Sequence, residues 1–284
     1  MPSNESVNIS IDYLPNPVRR WGPDGKGNQR PPCEAIQALL ATNAEHLEAF
    51  VHAAAQFVGP VLAGVPLTAA DDDPAPRWNQ NWLPASDAVS IVTAIGGAGR
   101  AHKPATYLEI GSGHSTRFAR RTIERLGLPT RLVSIDPQPR AEIDAICDTV
   151  VRDRLEDTDL GVFDTLVTGD VVFFDGSHRC LQNSDVTVFF LEVIPRLAPG
   201  VLIGVHDVFW PSDYPPGFAG RWYSEQYILG AYLLGLGSRA RIHMATHTLA
   251  EPLRDWLLSP IPEDVRTKVR NPGGASLWFE ALAG

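Results

Sequence analysis

The sequence predicts an α/β protein built on a doubly wound, mostly parallel sheet with helices on both faces. Three observations carry this. From residue 105 onward, short apolar runs rich in β-branched and aromatic residues alternate with helical stretches, which is the pattern of βαβ units. The glycines of Gly111-Ser112-Gly113 follow directly on one such run and open a helix. The 284 residues are 44% hydrophobic and 20% charged, a composition that can bury a sizeable core and that excludes disorder and fibrous repeats.

Each element has its own warrant. Residues 1–33, rich in Pro, Asn and Gly with a β-prone VNISI at 7–11, read as an extended arm. From Glu34 to Val58 apolar residues recur at three- and four-residue steps, predicting one amphipathic helix ended by Gly59-Pro60. The stretch Asp71–Pro84 combines an acidic triplet, prolines and RWNQNW, a loop in which Trp78 and Trp82 need cover. Ser86 is placed to cap a helix over 87–95, stopped by Gly96-Gly97. Strands are predicted at 106–110, 131–135, 149–151, 171–174 and 201–205. A helix at about 224–235 opened by Ser224 and strands at 240–246 and 276–281 follow.

Charge and cysteine content narrow the partners. The formal charge of −9 repels phosphate backbones and anionic lipid, so nucleic acid and membranes are not expected. Cys33, Cys147 and Cys180 stand far apart with no CxxC pair, which argues against a disulfide framework and fits a reducing cytoplasm. The first residues show no basic stretch followed by an apolar run, and no segment approaches the length of a membrane span, so a soluble, unexported protein is expected. The expected partner is a small-molecule acceptor, with a homo-oligomer left open.

A glycine turn between strand and helix lets a ligand approach the backbone at the carboxyl edge of the sheet, where nucleotides bind. The next strand ends in Asp136, 25 residues after Gly111, where a carboxylate can accept hydrogen bonds from ribose hydroxyls. Thr116 replaces the third glycine of the dinucleotide fingerprint, which argues against NAD and FAD. An ordinary βα turn with Asp136 at the surface fits the same residues. His114 inside the turn reads equally as a neighbour of cofactor or substrate and as a solvated loop residue.

The string YLEIGSGHST resembles motif I of the class I S-adenosylmethionine-dependent methyltransferases. VVFFDGSH and RLAPGVLIGVHDVFWPSDYP are similar to fourth- and fifth-strand motifs of the small-molecule subgroup, related to antibiotic and sugar O-methyltransferases and cephalosporin-hydroxylase-like proteins. The resemblance covers roughly residues 78–284. It implies a Rossmann-like, seven-stranded sheet whose last strand is antiparallel, preceded by an N-terminal helical arm and cap over 1–85, with 86–284 as the cofactor domain. It further implies S-adenosylmethionine as cofactor, with Glu109, Gly111 and Gly113 at its methionine part, Asp136 at the ribose and the Arg152–Leu155 segment, including Asp153, beside the adenine. Ser112, Ser115 and Asp175 are grouped with these contacts.

Strand 171–174 ends in Asp175-Gly-Ser-His178 and strand 201–205 in His206-Asp207, so two neighbouring strand ends, about 4.8 Å apart if paired, would bring four polar side chains together. In metal-dependent members of the resembled family these positions hold a divalent cation, which implies Asp175, His206 and Asp207 as ligands of magnesium or, given the histidine, manganese or iron. A metal-free reading makes His206 a general base oriented by Asp207 or Asp175. Asp175, His178, His206 and Asp207 are therefore the candidate catalytic residues. His243 and His247 lie away from this edge. Trp210, Tyr214, Phe218, Trp222 and Tyr223 crowd one Pro-rich connection, which predicts an aromatic lid over an apolar substrate, with Trp82 as a wall and Glu225 nearby. The expected activity is methyl transfer to a hydroxyl, in preference to an amine. The alternatives are iron-dependent oxidation on the same fold and a cofactor-binding module without turnover.

Overall fold

The computed structural model describes residues 12–13, 19–56, 58–70, 73–97, 104–249 and 251–281; the VNISI segment and the first two acids of the 71–73 triplet lie outside them. The chain begins with helices α1 (Glu34–Thr42), α2 (Ala44–Ala54), α3 (Val58–Leu62) and α4 (Ala85–Gly96). Strand β1 (Thr106–Ile110), helix α5 (His114–Leu126), β2 (Arg131–Ile135), β3 (Thr149–Val151), β4 (Val171–Phe174), α6 (Asp185–Val188) and β5 (Leu202–Val205) follow. The chain continues through α7 (Glu225–Leu236), β6 (Ile242–Ala245), α8 (Glu251–Leu258), α9 (Glu263–Arg266) and β7 (Leu277–Glu280).

The seven strands form one sheet in the order β3-β2-β1-β4-β5-β7-β6. The pairs from β3 to β5 are parallel, and β7 runs antiparallel to both of its neighbours. The expected doubly wound sheet with a reversed last strand is therefore present.

Alternation along the strands sorts side chains into two cores. Tyr107, Leu132, Phe173, Leu202, Met244 and Trp278 face a layer that includes α2, α3, α4, α5 and α8. Leu108, Val133, Phe174, Ile203, Ile242 and Phe279 face α1, α7 and the segment running from α6 to Arg196. Period-two burial on both faces is what a sheet sandwiched between helices requires. The first helices contribute to both cores, Phe50 and Val51 to one and Ile36 and Leu39 to the other. No helix among the described residues is long and apolar enough to cross a membrane.

Two helix expectations are corrected. The single helix over 34–58 breaks at Asn43, and Gly59-Pro60 lies inside α3. Asn43 is buried, its amide donates to the Leu39 carbonyl at 2.9 Å, and its Oδ1 accepts from the Ile242 amide at 3.0 Å. A buried amide that answers the edge of β6 outweighs helical continuity at that residue. Ser86 does not cap α4; it lies within the helix and its hydroxyl donates to the Pro272 carbonyl at 2.8 Å. Every residue of α4 is buried, so its flanking groups find partners in the adjacent 271–275 segment.

Candidate functional site

The carboxyl ends of β1, β2 and β4 border a cavity of about 380 Å³, within the usual size of a small-ligand pocket. Gly111 has φ +79°, and a Cβ there would stand 1.8 Å from the Asp175 carbonyl oxygen, so only glycine lets the turn pass this close to the end of β4. The Ser112 amide donates to Asp136 Oδ2 at 2.6 Å, and the Gln138 amide donates to Oδ1 at 2.7 Å. One carboxylate thus joins the glycine turn to the loop after β2. Gly111, Ser112, Gly113, Ser115, Asp136 and Asp175 all line the cavity, as does His114. Gly113 has no comparable steric need, because a Cβ there would meet only Arg140 Cβ at 3.7 Å.

Two expected contacts fall elsewhere. Glu109 is fully buried beneath the turn and is absent from the wall. The Gly113 amide donates to Thr116 Oγ1 at 2.9 Å, and that hydroxyl donates to Glu109 Oε2 at 2.5 Å. Burial pushes the Glu109 carboxyl up to about 8 despite these bonds from Ser115 and Thr116. Its role is to hold the turn from below, and Thr116, the residue in place of the third glycine, is the link. Asp153 is exposed, and Arg154, Leu155 and Glu156 form the wall in its place.

At the ends of β4 and β5, the parallel register sets Phe174 beside Val205, so Asp175 and His206 emerge as neighbours. His206 Nδ1 lies 3.2 Å from Asp175 Oδ1 and 3.9 Å from Asp207 Oδ1. Its Nε2 stands 3.3 Å from Asp87 Oδ2, outside hydrogen-bond alignment. His178 Nδ1 meets Glu225 Oε2 at 2.7 Å, while its Nε2 lies 3.3 Å from Asp175 Oδ1 and 3.6 Å from Asp207 Oδ2. His178 and Asp207 both have positive φ, 61° and 52°, a conformation that non-glycine residues keep only where their surroundings impose it.

Charge follows from this geometry. Burial opposes the His178 cation, but bonds to Asp175 and Glu225 outweigh it and lift the ring to about 10. Burial also opposes the His206 cation, yet Asp175, Asp207 and Asp87 raise it well above its ordinary value. Burial would raise Asp175, and the two rings override it and hold that carboxylate far below the usual range. Glu225, buried with Oε1 unpartnered, is pushed up to about 7 by burial, partly countered by His178. The close ring-to-carboxylate approaches favour imidazolium facing carboxylate at His178 and His206.

The metal expectation finds no support in this arrangement. A metal needs neutral imidazole and carboxylate lone pairs converging on one point, whereas here the ring nitrogens point at the carboxylates themselves. Among the described residues no group of three His, Cys, Asp or Glu side chains is arranged to hold an ion. Asp175, His206 and Asp207 therefore do not present a ligand set for magnesium, manganese or iron, and adding His178 does not supply one.

A second cavity of about 320 Å³ adjoins the cluster and shares Trp82 and Arg140 with the first. His206 and Asp207 line it, together with Phe209, Phe218, Tyr223 and Arg221. Of the expected substrate residues, Trp82 and Tyr223 are on this wall. Trp210 is not: it is buried against Trp21, ring centroids 5.5 Å apart, and donates to the Gln226 carbonyl at 2.5 Å. Tyr214 is buried and accepts from the Gln226 amide at 3.0 Å, so it braces the lid from within. Trp222 is exposed and Glu225 lies behind His178. Asp87, Arg140, Phe209 and Arg221 are on the site without having been singled out from the sequence, where none of them belongs to a recognisable motif.

Residues 108–208 match the model of a methyltransferase domain. That span carries the glycine turn, Asp136, Asp175, His178, His206 and Asp207. No curated protein matches the chain in sequence. Among solved structures, a branched-chain polyamine synthase mutein from Thermus thermophilus, in complex with N4-aminopropylspermidine and 5'-methylthioadenosine, is 16% identical with a TM-score of 0.43 over 82% of this chain and 64% of its own. Phosphoethanolamine N-methyltransferase 2 of Haemonchus contortus, in complex with S-adenosyl-L-methionine, is 14% identical with a TM-score of 0.38 over 81% of this chain and 57% of its own. The plantazolicin methyltransferase bound to SAH is 10% identical with a TM-score of 0.40 over 88% of this chain and all of its own. The chain spans less than two thirds of the first two proteins, and likenesses this distant carry no activity across. The matched span contains both the glycine turn with Asp136 and the His206-Asp207 end of β5.

Proposed function

We propose that the chain transfers the methyl group of S-adenosylmethionine to a hydroxyl of a small molecule. The observation that carries this is the junction of two cavities at Trp82 and Arg140, one bordered by the glycine turn and Asp136, the other by His206 and Asp207. The first cavity suits the cofactor in its donor set, since Gly111 leaves the backbone open where a Cβ could not fit, and Asp136 keeps acceptor lone pairs beside the two amides it already binds. Gly111, Ser112, Asp136 and the Arg154–Glu156 wall would hold it. When bound, the cofactor supplies a methyl group on a sulfonium that needs no further activation.

The remaining work belongs to the chain. Trp82, Phe218 and Tyr223 orient an acceptor and exclude water from the junction. The proton of the acceptor hydroxyl goes to the His206–Asp207 end of the cluster. His206 accepts it only after losing the proton that Asp175, Asp207 and Asp87 favour, so the reaction accelerates as pH rises above neutrality. A hydroxyl is favoured over an amine because this apparatus of buried carboxylates and rings serves proton removal. A cytoplasmic setting, supported by three free cysteines, belongs to the same proposal.

The test is incubation with S-adenosylmethionine and paired hydroxyl and amine acceptors, with S-adenosylhomocysteine release and product mass as readouts. Methylation of the hydroxyl member is expected. Release of S-adenosylhomocysteine only with amines would overturn the acceptor, and failure to bind either cofactor form would overturn the reaction class.

A further inference from the structure

Arg140 and Arg221 are the feature of the second cavity that proton removal does not use. The Arg140 guanidinium lies 4.3 Å from the centre of the Trp82 ring, and that of Arg221 lies 4.1 Å from Phe218 and 5.6 Å from Tyr223. Both are exposed, both line the cavity, and neither guanidinium meets a carboxylate among the described residues. Other arginines of the protein are spoken for: Arg120, Arg152, Arg154, Arg196 and Arg241 pair with acids. In a chain of net charge −9, two unpaired guanidinium groups converging on one cavity form a local exception to the field.

Stacking on an aromatic face fixes the plane of a guanidinium while leaving its N–H edge free for a planar or tetrahedral oxyanion. The same rings, with Phe209, give the cavity flat apolar walls suited to a ring-shaped ligand. His206 and Asp207 mark where a hydroxyl would have to lie.

We infer that the acceptor of this site is a flat, hydroxyl-bearing molecule with an anionic oxygen group, carboxylate or phosphate, recognised by Arg140 and Arg221. The inference rests on the methyltransferase reading given above and names the acceptor class for it. The anion supplies orientation, the apolar walls supply contact area, and the hydroxyl is left toward His206.

The experiment is equilibrium binding, by calorimetry, to protein saturated with S-adenosylhomocysteine. The probes are a hydroxybenzoate, its methyl ester, the matching hydroxyphenyl phosphate and the unsubstituted phenol; proteins are wild type, Arg221→Gln and Arg140→Gln. Wild type should bind at least one anionic probe at least about tenfold more tightly than the ester or phenol. Arg221→Gln should erase that preference while leaving S-adenosylhomocysteine affinity unchanged, and the carboxylate and phosphate arms show which anion is read. Equal affinity for acid and ester, an undiminished preference in both variants, or no binding of either anion at about millimolar concentration overturns the inference. Failure of S-adenosylhomocysteine itself to bind would instead strike the methyltransferase reading, so the two failures are distinct.

Discussion

Asp136 allows the sharpest test of the cofactor cavity. Its two carboxylate oxygens accept from the Ser112 and Gln138 amides at 2.6 and 2.7 Å, tying the glycine turn to the loop after β2. Asp136→Ala removes those charge-assisted bonds and any acceptor offered to a ribose. Each bond of this kind contributes roughly 1.5–3 kcal/mol, though the exposed amides recover part of that from water. A loss of about 1–3 kcal/mol in S-adenosylhomocysteine binding is expected, about 5- to 150-fold in Kd. Asp136→Asn keeps one acceptor oxygen and should fall between wild type and alanine. Isothermal titration of the three proteins decides the matter, with urea melts run in parallel to confirm folding. An unchanged Kd in Asp136→Ala would refute the reasoning, and tight binding of NAD with no response to S-adenosylhomocysteine would refute the cavity's identity.

Further outcomes follow from the same geometry. Gly111→Ala, forced into positive φ and onto the Asp175 carbonyl, should cost more than about 2 kcal/mol in a urea melt, whereas Gly113→Ala, with only Arg140 Cβ nearby, should cost less. Glu109→Gln should gain stability relative to wild type as pH rises. The unfolded carboxyl ionises near its ordinary 4.5 while burial holds the folded one to about 8, so wild type is penalised progressively between those values; urea midpoints that keep a constant gap would contradict this. His178 is shifted in the same direction, from 6.5 to about 10, so the stability its ring contributes is complete below about pH 6.5 and is lost as pH passes about 10. His178→Asn should flatten that alkaline loss in a pH series of melts. Turnover should be indifferent to chelators, and metal-restored activity after chelation would return Asp175, His206 and Asp207 to a ligand role.

How much of this was legible depends on what kind of interaction sets each feature. The strands could be read almost to the residue because period-two burial and glycine punctuation are local signals, and β1 to β4 lie where the pattern put them. Asn43 broke the first helix through a bond to Ile242, 199 positions away, and no local propensity reports a partner that distant. Asp136, Asp175, His178, His206 and Asp207 were legible because strand ends of a parallel sheet converge on one edge. Asp87 was not, since its carboxylate reaches His206 only through the packing of α4 against the sheet, and it accepts from Thr246 and Ala275 at the same time. The aromatic connection was recognised as one unit, but its five rings divide among bracing, lining and, at Trp222, exposure to solvent. Trp210 and Tyr214 turn inward to Gln226, and Phe218 and Tyr223 turn to the cavity.

The placement of Asp175 links the two cavities through charge. Its carboxylate lines the first and pairs with His206, which lines the second. Burial alone would drive Asp175 toward the neutral acid, and the two imidazolium rings reverse that, so the carboxylate and the rings hold one another charged. A positive group seated in the first cavity beside Asp175 competes with His206 for the same counter-charge and lowers the affinity of that ring for its proton. Occupancy of one cavity and protonation at the other are then thermodynamically coupled, and the coupling acts equally in both directions. Glu225 on α7 holds the outer nitrogen of His178 at 2.7 Å, and Asp87 on α4 stands 3.3 Å from that of His206. The coupling is read as a shift in the proton affinity of His206 when the first cavity is filled.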